Sequence, residues 1–188
     1  MSATTNEIRV GNKLEIDNQP YLVLNNEFCK PGKGQAFNRI KLKNMMTGRV
    51  VENTYKSGDK LDLADIEEFG MTFLYREDEG AVFMDQSTFD QISVGANLIK
   101  PIAHWLVEEV IYQVVVYNGN VIDVVPPFFL EMTIAETSEG VRGDSSGRVL
   151  KPAKTNTGAE IQVPIFIGEG EKIKVDTRTG EYASRVND

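Results

Sequence analysis

The stretch "FCKPGKGQAFNRIKLK", residues 28–43, decides how this chain folds. After Gln35, apolar and charged side chains alternate: Ala36, Asn38, Ile40 and Leu42 fall on one face, and Phe37, Arg39, Lys41 and Lys43 on the other. A period of two fits a half-buried β-strand, because successive strand side chains point to opposite faces. Before the tip, "YLVLNNEFC" (residues 21–29) is a second strand-like run, so Pro31, Gly32, Lys33 and Gly34 form the tip of a hairpin. Glycines on both sides of Lys33 let the backbone bend sharply and approach another surface closely, and Pro31 fixes one φ angle and stiffens the tip. Lys33 has no carboxylate among its neighbours in residues 30–37. Two readings stay open at this point. One is a plain soluble hairpin cap, since Gly and Pro are the usual turn formers; the other is a lysine presented to RNA or to a modifying enzyme.

The same periodicity runs outward from the hairpin. "MTFLY" and "AVFMD", "YQVVVY-NGN-VIDVV", and "EIQVPIFI-GEGE-KIKVD-TRTG-EYASRV" read as strands separated by turns. Asn118-Gly119 is a strong hairpin signal, because both residues tolerate the positive φ of a tight primed turn. Many short strands with Gly-rich turns predict an all-β chain built of small barrels. Two stretches of the middle third, "STFDQISVG" (residues 87–95) and "PIAHWLVEEVI" (residues 101–111), are expected to be short helices. Pro126-Pro127 cannot donate to a strand ladder and marks a stiff connection. With a change of charge near "KSGDK", this divides the chain into residues 1–64, 65–126 and 127–188.

Charge follows that division. Residues 1–64 carry 10 Lys and Arg against 7 Asp and Glu, residues 65–126 carry 2 against 11, and residues 127–188 carry 8 against 10. The net −8 therefore hides a cationic first part. Between Glu27 and Glu52 stand Lys30, Lys33, Arg39, Lys41, Lys43 and Arg49, with no acid among them. Such a stripe can hold phosphate while the rest of the molecule repels nonspecific polyanions, or it can be a solvated strand face; charge alone decides neither.

Several function classes are disfavoured. Cys29 is the only cysteine and His104 the only histidine, so a Cys/His zinc site would need several carboxylates, and no Ser-His-acid triad stands out. His104 reads as a packed or surface residue and Cys29 as a small buried hydrophobe. The neighbouring acids Glu67-Glu68 and Glu108-Glu109 point apart, which suits paired acid-base work poorly. "GKG" lacks the remainder of a phosphate-binding loop. An enzyme is thus not expected, nor a metal or a cofactor. The start "MSATTNEIRV" lacks a secretory signal, and no apolar run approaches membrane-spanning length, so a cytoplasmic protein without a membrane partner is expected.

These residues carry a resemblance. The stretch from "FCKPGKGQAF" to "YKSGD", with "VVPPFF" and "KPAKTNTGAEIQVPIFIGEGEKIKVDTRTGEYASRV", closely resembles bacterial translation elongation factor P over essentially the whole chain. The most specific parts are the Pro-Gly-Lys-Gly tip and "VDTRTGEYASR". The tip also separates the chain from the elongation factor P-like paralogues, which lack it. The resemblance implies an SH3-like (KOW-type) barrel followed by two OB-type barrels, in an L-shaped, tRNA-like arrangement. It implies a monomer that binds the ribosome between the peptidyl and exit sites, stabilises peptidyl-tRNA, stimulates peptide-bond formation and relieves stalling at consecutive prolines.

Residue by residue, the resemblance makes Lys33 the tip lysine that receives a β-lysyl group, sometimes hydroxylated, from a ligase-type enzyme. A lysine there excludes the arginine-and-sugar route of another branch of the family. Lys30, Pro31, Gly32, Lys33, Gly34, Arg39 and Lys41 would then meet tRNA and rRNA. Gly143, Asp144, Ser145 and Gly147, in "GDSSG", would face the codon on the small subunit, although Ser145 and Ser146 depart from the usual Thr and small residue. Tyr182 and Arg185 match the carboxy-terminal aromatic and cation that face the small subunit. The competing reading is an OB-type single-stranded RNA-binding protein acting away from the ribosome, which would need exposed aromatic platforms; the cationic stripe holds only Phe37.

Overall fold

The computed structural model describes residues 1–78, 80–138 and 149–186. Its architecture is all-β, in three sheets. The first takes β1 (Ser2–Thr4), β2 (Lys13–Ile16), β3 (Gln19–Cys29), β4 (Phe37–Asn44), β5 (Val50–Lys56) and β6 (Lys60–Leu63), in the order β1-β6-β2-β3-β4-β5. The second takes β7 (Ile66–Glu77), β8 (Gly80–Asp85), β9 (Gln91–Gly95), β10 (Ile111–Tyr117) and β11 (Asn120–Val125), ordered β11-β10-β7-β8-β9. The third takes β12 (Phe129–Thr137), β13 (Leu150–Thr155), β14 (Glu160–Pro164), β15 (Lys172–Asp176) and β16 (Glu181–Arg185), ordered β14-β13-β12-β15-β16. By contact density the chain forms two compact units, Met1–Phe69 with Val114–Asp123, and Gly70–Gln113 with Val124–Asp188.

Each sheet has its own core. In the first unit, Ile8, Leu14, Val23, Ile40 and Leu42 are buried together, with Tyr21, Val51, Tyr55 and Leu61 packed around them. The alternation read from the sequence is what puts them there: β4 buries Asn38, Ile40, Leu42 and Asn44 and exposes Arg39, Lys41 and Lys43. In the second unit, Phe73, Phe83 and Tyr112 meet edge-on or tilted, with ring centroids 5.6 to 6.2 Å apart. Such aromatic pairs add to what their buried area contributes. The third core is aliphatic, built on Leu130, Ile134, Ile161, Val163, Ile173 and Val175, with Trp105 against it. The turn at Asn118 and Gly119 has φ of 48° and 76°, the primed geometry their side chains predict. Residues 126–128 join β11 to β12, and the Thr177 hydroxyl donates to the Pro127 carbonyl at 2.7 Å.

Both helix expectations need correction. Residues 87–95 form a turn followed by β9. The Asp85 carboxylate accepts the N–H groups of Ser87 at 2.7 Å and Thr88 at 3.1 Å, and Phe89 takes a φ of 62°. An acid capping the next two or three N–H groups looks like a helix start in sequence, but here it closes the β8–β9 hairpin. Helix occurs instead just beyond, as α1 (Ala96–Ile99) running into a 3₁₀ turn (Lys100–Trp105). Residues 106–111 do not continue it. The Tyr112 hydroxyl accepts the Val107 N–H at 2.8 Å and donates to the Trp105 carbonyl at 2.6 Å, occupying groups that a longer helix would have used. The run "EIQVPIFI" is also shorter as a strand than its composition predicts, because the chain turns after Pro164 with the Ile167 N–H on the Pro164 carbonyl.

Candidate nucleic-acid interface

The long antiparallel ladder of β3 and β4 carries the tip. Cys29 stands opposite Phe37, and residues 30–36 close the hairpin beyond them. From Lys30 to Gln35 every residue is exposed. Gly34 has a φ of +123°, which L side chains rarely adopt, and a Cβ there would lie 3.6 Å from the Pro31 ring. Gly32 differs: its φ is not in that region, and a Cβ would meet open space. The bend therefore requires glycine at Gly34, whereas Gly32 leaves one side of Lys33 bare. Among the described residues, the Lys33 side chain makes no hydrogen bond or ion pair, and the same holds for the side chains of Lys30, Lys41 and Lys43. An ammonium group without a partner among the described residues is available to meet phosphate or to be modified.

The ladder brings Arg39, Lys41 and Lys43 onto one exposed face, but not into a purely cationic one. Glu27 stands directly opposite Arg39 on β3, and Glu52 opposite Lys41 on β5. Arg39 reaches the Glu52 carboxylate at 3.5 Å. An exposed pair of this kind is worth little, roughly 0 to 1 kcal/mol, so it yields readily to a phosphate. The two acids that bracket the cationic run in sequence thus end up beside it in space. Lys56, opposite Phe37, joins the same face and was missed by the reading of residues 28–51. The period-two run of β5 carried the signal, since Val50, Glu52, Thr54 and Lys56 share one side.

The carboxy-terminal candidates are less free. Tyr182 packs on the third core and lines a groove of about 1410 Å³ with Glu136, Lys154, Gln162 and Glu181. Arg185 donates to the Glu171 carboxylate at 2.6 Å. Gly143, Asp144, Ser145 and Gly147 lie outside the described residues. His104 lies tilted against Trp105, with ring centroids 4.5 Å apart, and its carbonyl accepts the Thr157 hydroxyl at 2.7 Å. Cys29 is a free, half-buried thiol. Among the described residues no group of three or more His, Cys, Asp or Glu side chains could hold a metal. No helix among them is long and apolar enough to cross a membrane.

Three β-sheets in series along the chain, with an exposed lysine at the tip of a cationic hairpin in the first, define the class: an all-β protein built of small sheets. Family models match along the chain: the elongation factor P KOW-like domain over residues 4–61, its OB domain over residues 66–124 and its C-terminal domain over residues 130–185. The chain belongs to the elongation factor P family. It is 62% identical to elongation factor P 2 of Chlamydia caviae over 185 residues, covering 98% of this chain and 97% of that one. It is 57% identical to elongation factor P 2 of Protochlamydia amoebophila, over the same shares of the two chains. A eukaryotic translation initiation factor 5A from Methanococcus jannaschii has a similar fold, with a TM-score of 0.54, 18% identity, and coverage of 66% of this chain and 96% of that one. The family is one of translation elongation factors, not of enzymes.

Proposed function

We propose that this elongation factor binds the ribosome between the peptidyl and exit sites and steadies peptidyl-tRNA, speeding peptide-bond formation where consecutive prolines stall it. The observation that carries the reading is Lys33, exposed at the tip and without a partner among the described residues, beside a face that bears Arg39, Lys41, Lys43 and Lys56. In this reading the cationic face rests on tRNA and rRNA phosphates, and Lys30, Pro31, Gly32 and Gly34 direct Lys33 toward the 3′ end of the tRNA. Proline reacts poorly because its ring restricts φ and its nitrogen is secondary. Holding the donor end in a reactive pose lowers the barrier by several kcal/mol without any protein acid or base, so the RNA performs the chemistry.

A β-lysyl group joined through an amide to the Lys33 Nζ, with or without a hydroxyl, adds reach and a further amine. A ligase-type enzyme supplies the activated carboxyl. Gly143, Asp144, Ser145, Gly147, Tyr182 and Arg185 face the small subunit, with Arg185 exchanging Glu171 for an RNA phosphate. The factor works as a monomer in the cytoplasm.

Cys29, the only cysteine, stands four positions before Lys33 and offers a native tether for a hydroxyl-radical probe. On ribosomes carrying peptidyl-tRNA, cleavage is expected in the acceptor end of the peptidyl-site tRNA and in adjoining rRNA. An absence of tRNA cleavage with the factor bound would overturn the placement and favour an RNA-binding role away from the ribosome. Intact mass of the protein from its native cell, with an added lysyl residue mapped to Lys33, tests the modification.

A further inference from the structure

We infer that the turn of residues 176–180, between β15 and β16, is a clamp that makes the connector of residues 126–128 a rigid part of the third sheet, with Arg178 as the residue that closes it. The proposed function uses Tyr182 and Arg185 of the stretch "VDTRTGEYASR" and leaves Asp176, Thr177 and Arg178 without a task. It also leaves "VVPPFF", residues 124–129, unexplained beyond its two prolines. The fold brings these two stretches together, for Phe129 at the start of β12 stands directly opposite Asp176 at the end of β15.

A connecting segment is ordinarily mobile, and this one lacks the apolar burial that would hold it. None of residues 125–129 is buried, and Phe128 is 60% and Phe129 48% exposed. Pro126 and Pro127 have fixed φ but can still turn about ψ. What holds the segment is polar. The Thr177 hydroxyl donates to the Pro127 carbonyl at 2.7 Å, and the Thr177 N–H donates to the Phe128 carbonyl at 2.9 Å. Two successive carbonyls of the connector are thereby tied to one residue of the turn. Beside them, the Arg178 guanidinium lies over the Phe128 ring, 4.5 Å from its centre, and 5.7 Å from the centre of the Phe129 ring.

The turn is built to aim that guanidinium. The Asp176 carboxylate accepts the Arg178 N–H at 2.9 Å and, along one edge of the guanidinium, Nε at 3.0 Å and Nη2 at 2.5 Å. The Gly180 N–H donates to the Asp176 carbonyl at 2.8 Å, and Gly180 takes a φ of 73°, in the left-handed region that favours glycine. A carboxylate on one edge leaves the flat face of the guanidinium to cover an aromatic ring. Lysine offers no such combination, since its ammonium is a point charge with neither fork nor plane. Each contact alone is weak, as exposed ion pairs and cation–π contacts are. Here they act on Pro127, Phe128 and Phe129 in succession, so backbone rotation within the connector breaks several at once.

The test is NMR relaxation and amide hydrogen exchange on the full chain. The Phe128 amide is expected to have the order parameter of a rigid strand, about 0.85. Arg178→Ala, at an exposed position that the fold tolerates, should lower that value below about 0.6 and speed exchange of the Thr177 amide about tenfold, in line with the loss of one ion pair and one cation–π contact. The Ile173 and Val175 amides, in the core of the same sheet, should exchange as before. Arg178→Lys should behave like Arg178→Ala, because a cation alone does not close the clamp. A mobile Phe128 amide in the native chain, unchanged Thr177 exchange in Arg178→Ala, an equal rise at Ile173 and Val175, or full rescue by Arg178→Lys would overturn it. The experiment involves no ribosome, so its failure would leave the ribosomal reading untouched.

Discussion

Tyr112 does more for this chain than fill space. It is 0% exposed, and its hydroxyl ties the Trp105 carbonyl to the Val107 N–H where the 3₁₀ turn ends. Burial pushes the phenol up from 10 to about 12, outweighing the opposing effects of the Val107 hydrogen bond and the Arg76 charge. The folded chain thus holds this proton more tightly than the unfolded chain does. The resulting stability is fully present below pH 10 and is lost as the pH rises through about 12. Tyr112→Phe should cost about 1–3 kcal/mol at neutral pH by orphaning two part-buried backbone groups. It should also flatten the alkaline fall in stability, as denaturant unfolding at several pH values would measure. None of this was legible in sequence, because "YQVVVY" marks Tyr112 only as a strand residue. Lys33 was legible, since its isolation follows from the residues beside it. Arg39 was half legible: its exposure follows from alternation, but Glu52 reaches it only through strand pairing.

Strands declared themselves wherever one face is buried and the other wet, as in β4, where pattern and burial agree residue by residue. They were illegible where local hydrogen bonding imitates another element, as with Asp85 and the turn before β9. Two predictions belong to this scale. Ile40→Ala removes a fully buried side chain from the first core and should cost about 2–5 kcal/mol by chemical denaturation. Gly80→Ala would drive a Cβ into the Val94 carbonyl of the neighbouring strand, where the partner is backbone and gives little. It should prise β9 from β8, with lowered thermal stability and faster amide exchange at residues 91–95. Nothing in the local sequence announces that requirement, since Gly80 reads as an ordinary turn residue and its constraint comes from the facing strand.

For the whole molecule, the division of charge governs partner choice. In the proposed reading, the cations of the hairpin face sit in a chain of net charge −8, so attraction to RNA would be confined to one part while the rest discourages nonspecific binding. Ribosome affinity should therefore fall with salt, and Lys41→Glu should both weaken binding and reduce the salt slope by about one ion or more. Co-sedimentation across a salt series measures both. Residue spacing made three groups of strands and the cationic hairpin legible. Where that hairpin is used is an expectation of the resemblance, since fold alone does not specify function. The most direct test of the central claim is the rate of polyproline synthesis in reconstituted translation, with the native factor and with Lys33→Ala. The native protein should relieve the stall, and Lys33→Ala should lose nearly all of that acceleration while its melting temperature is unchanged. Full acceleration by Lys33→Ala would contradict the account.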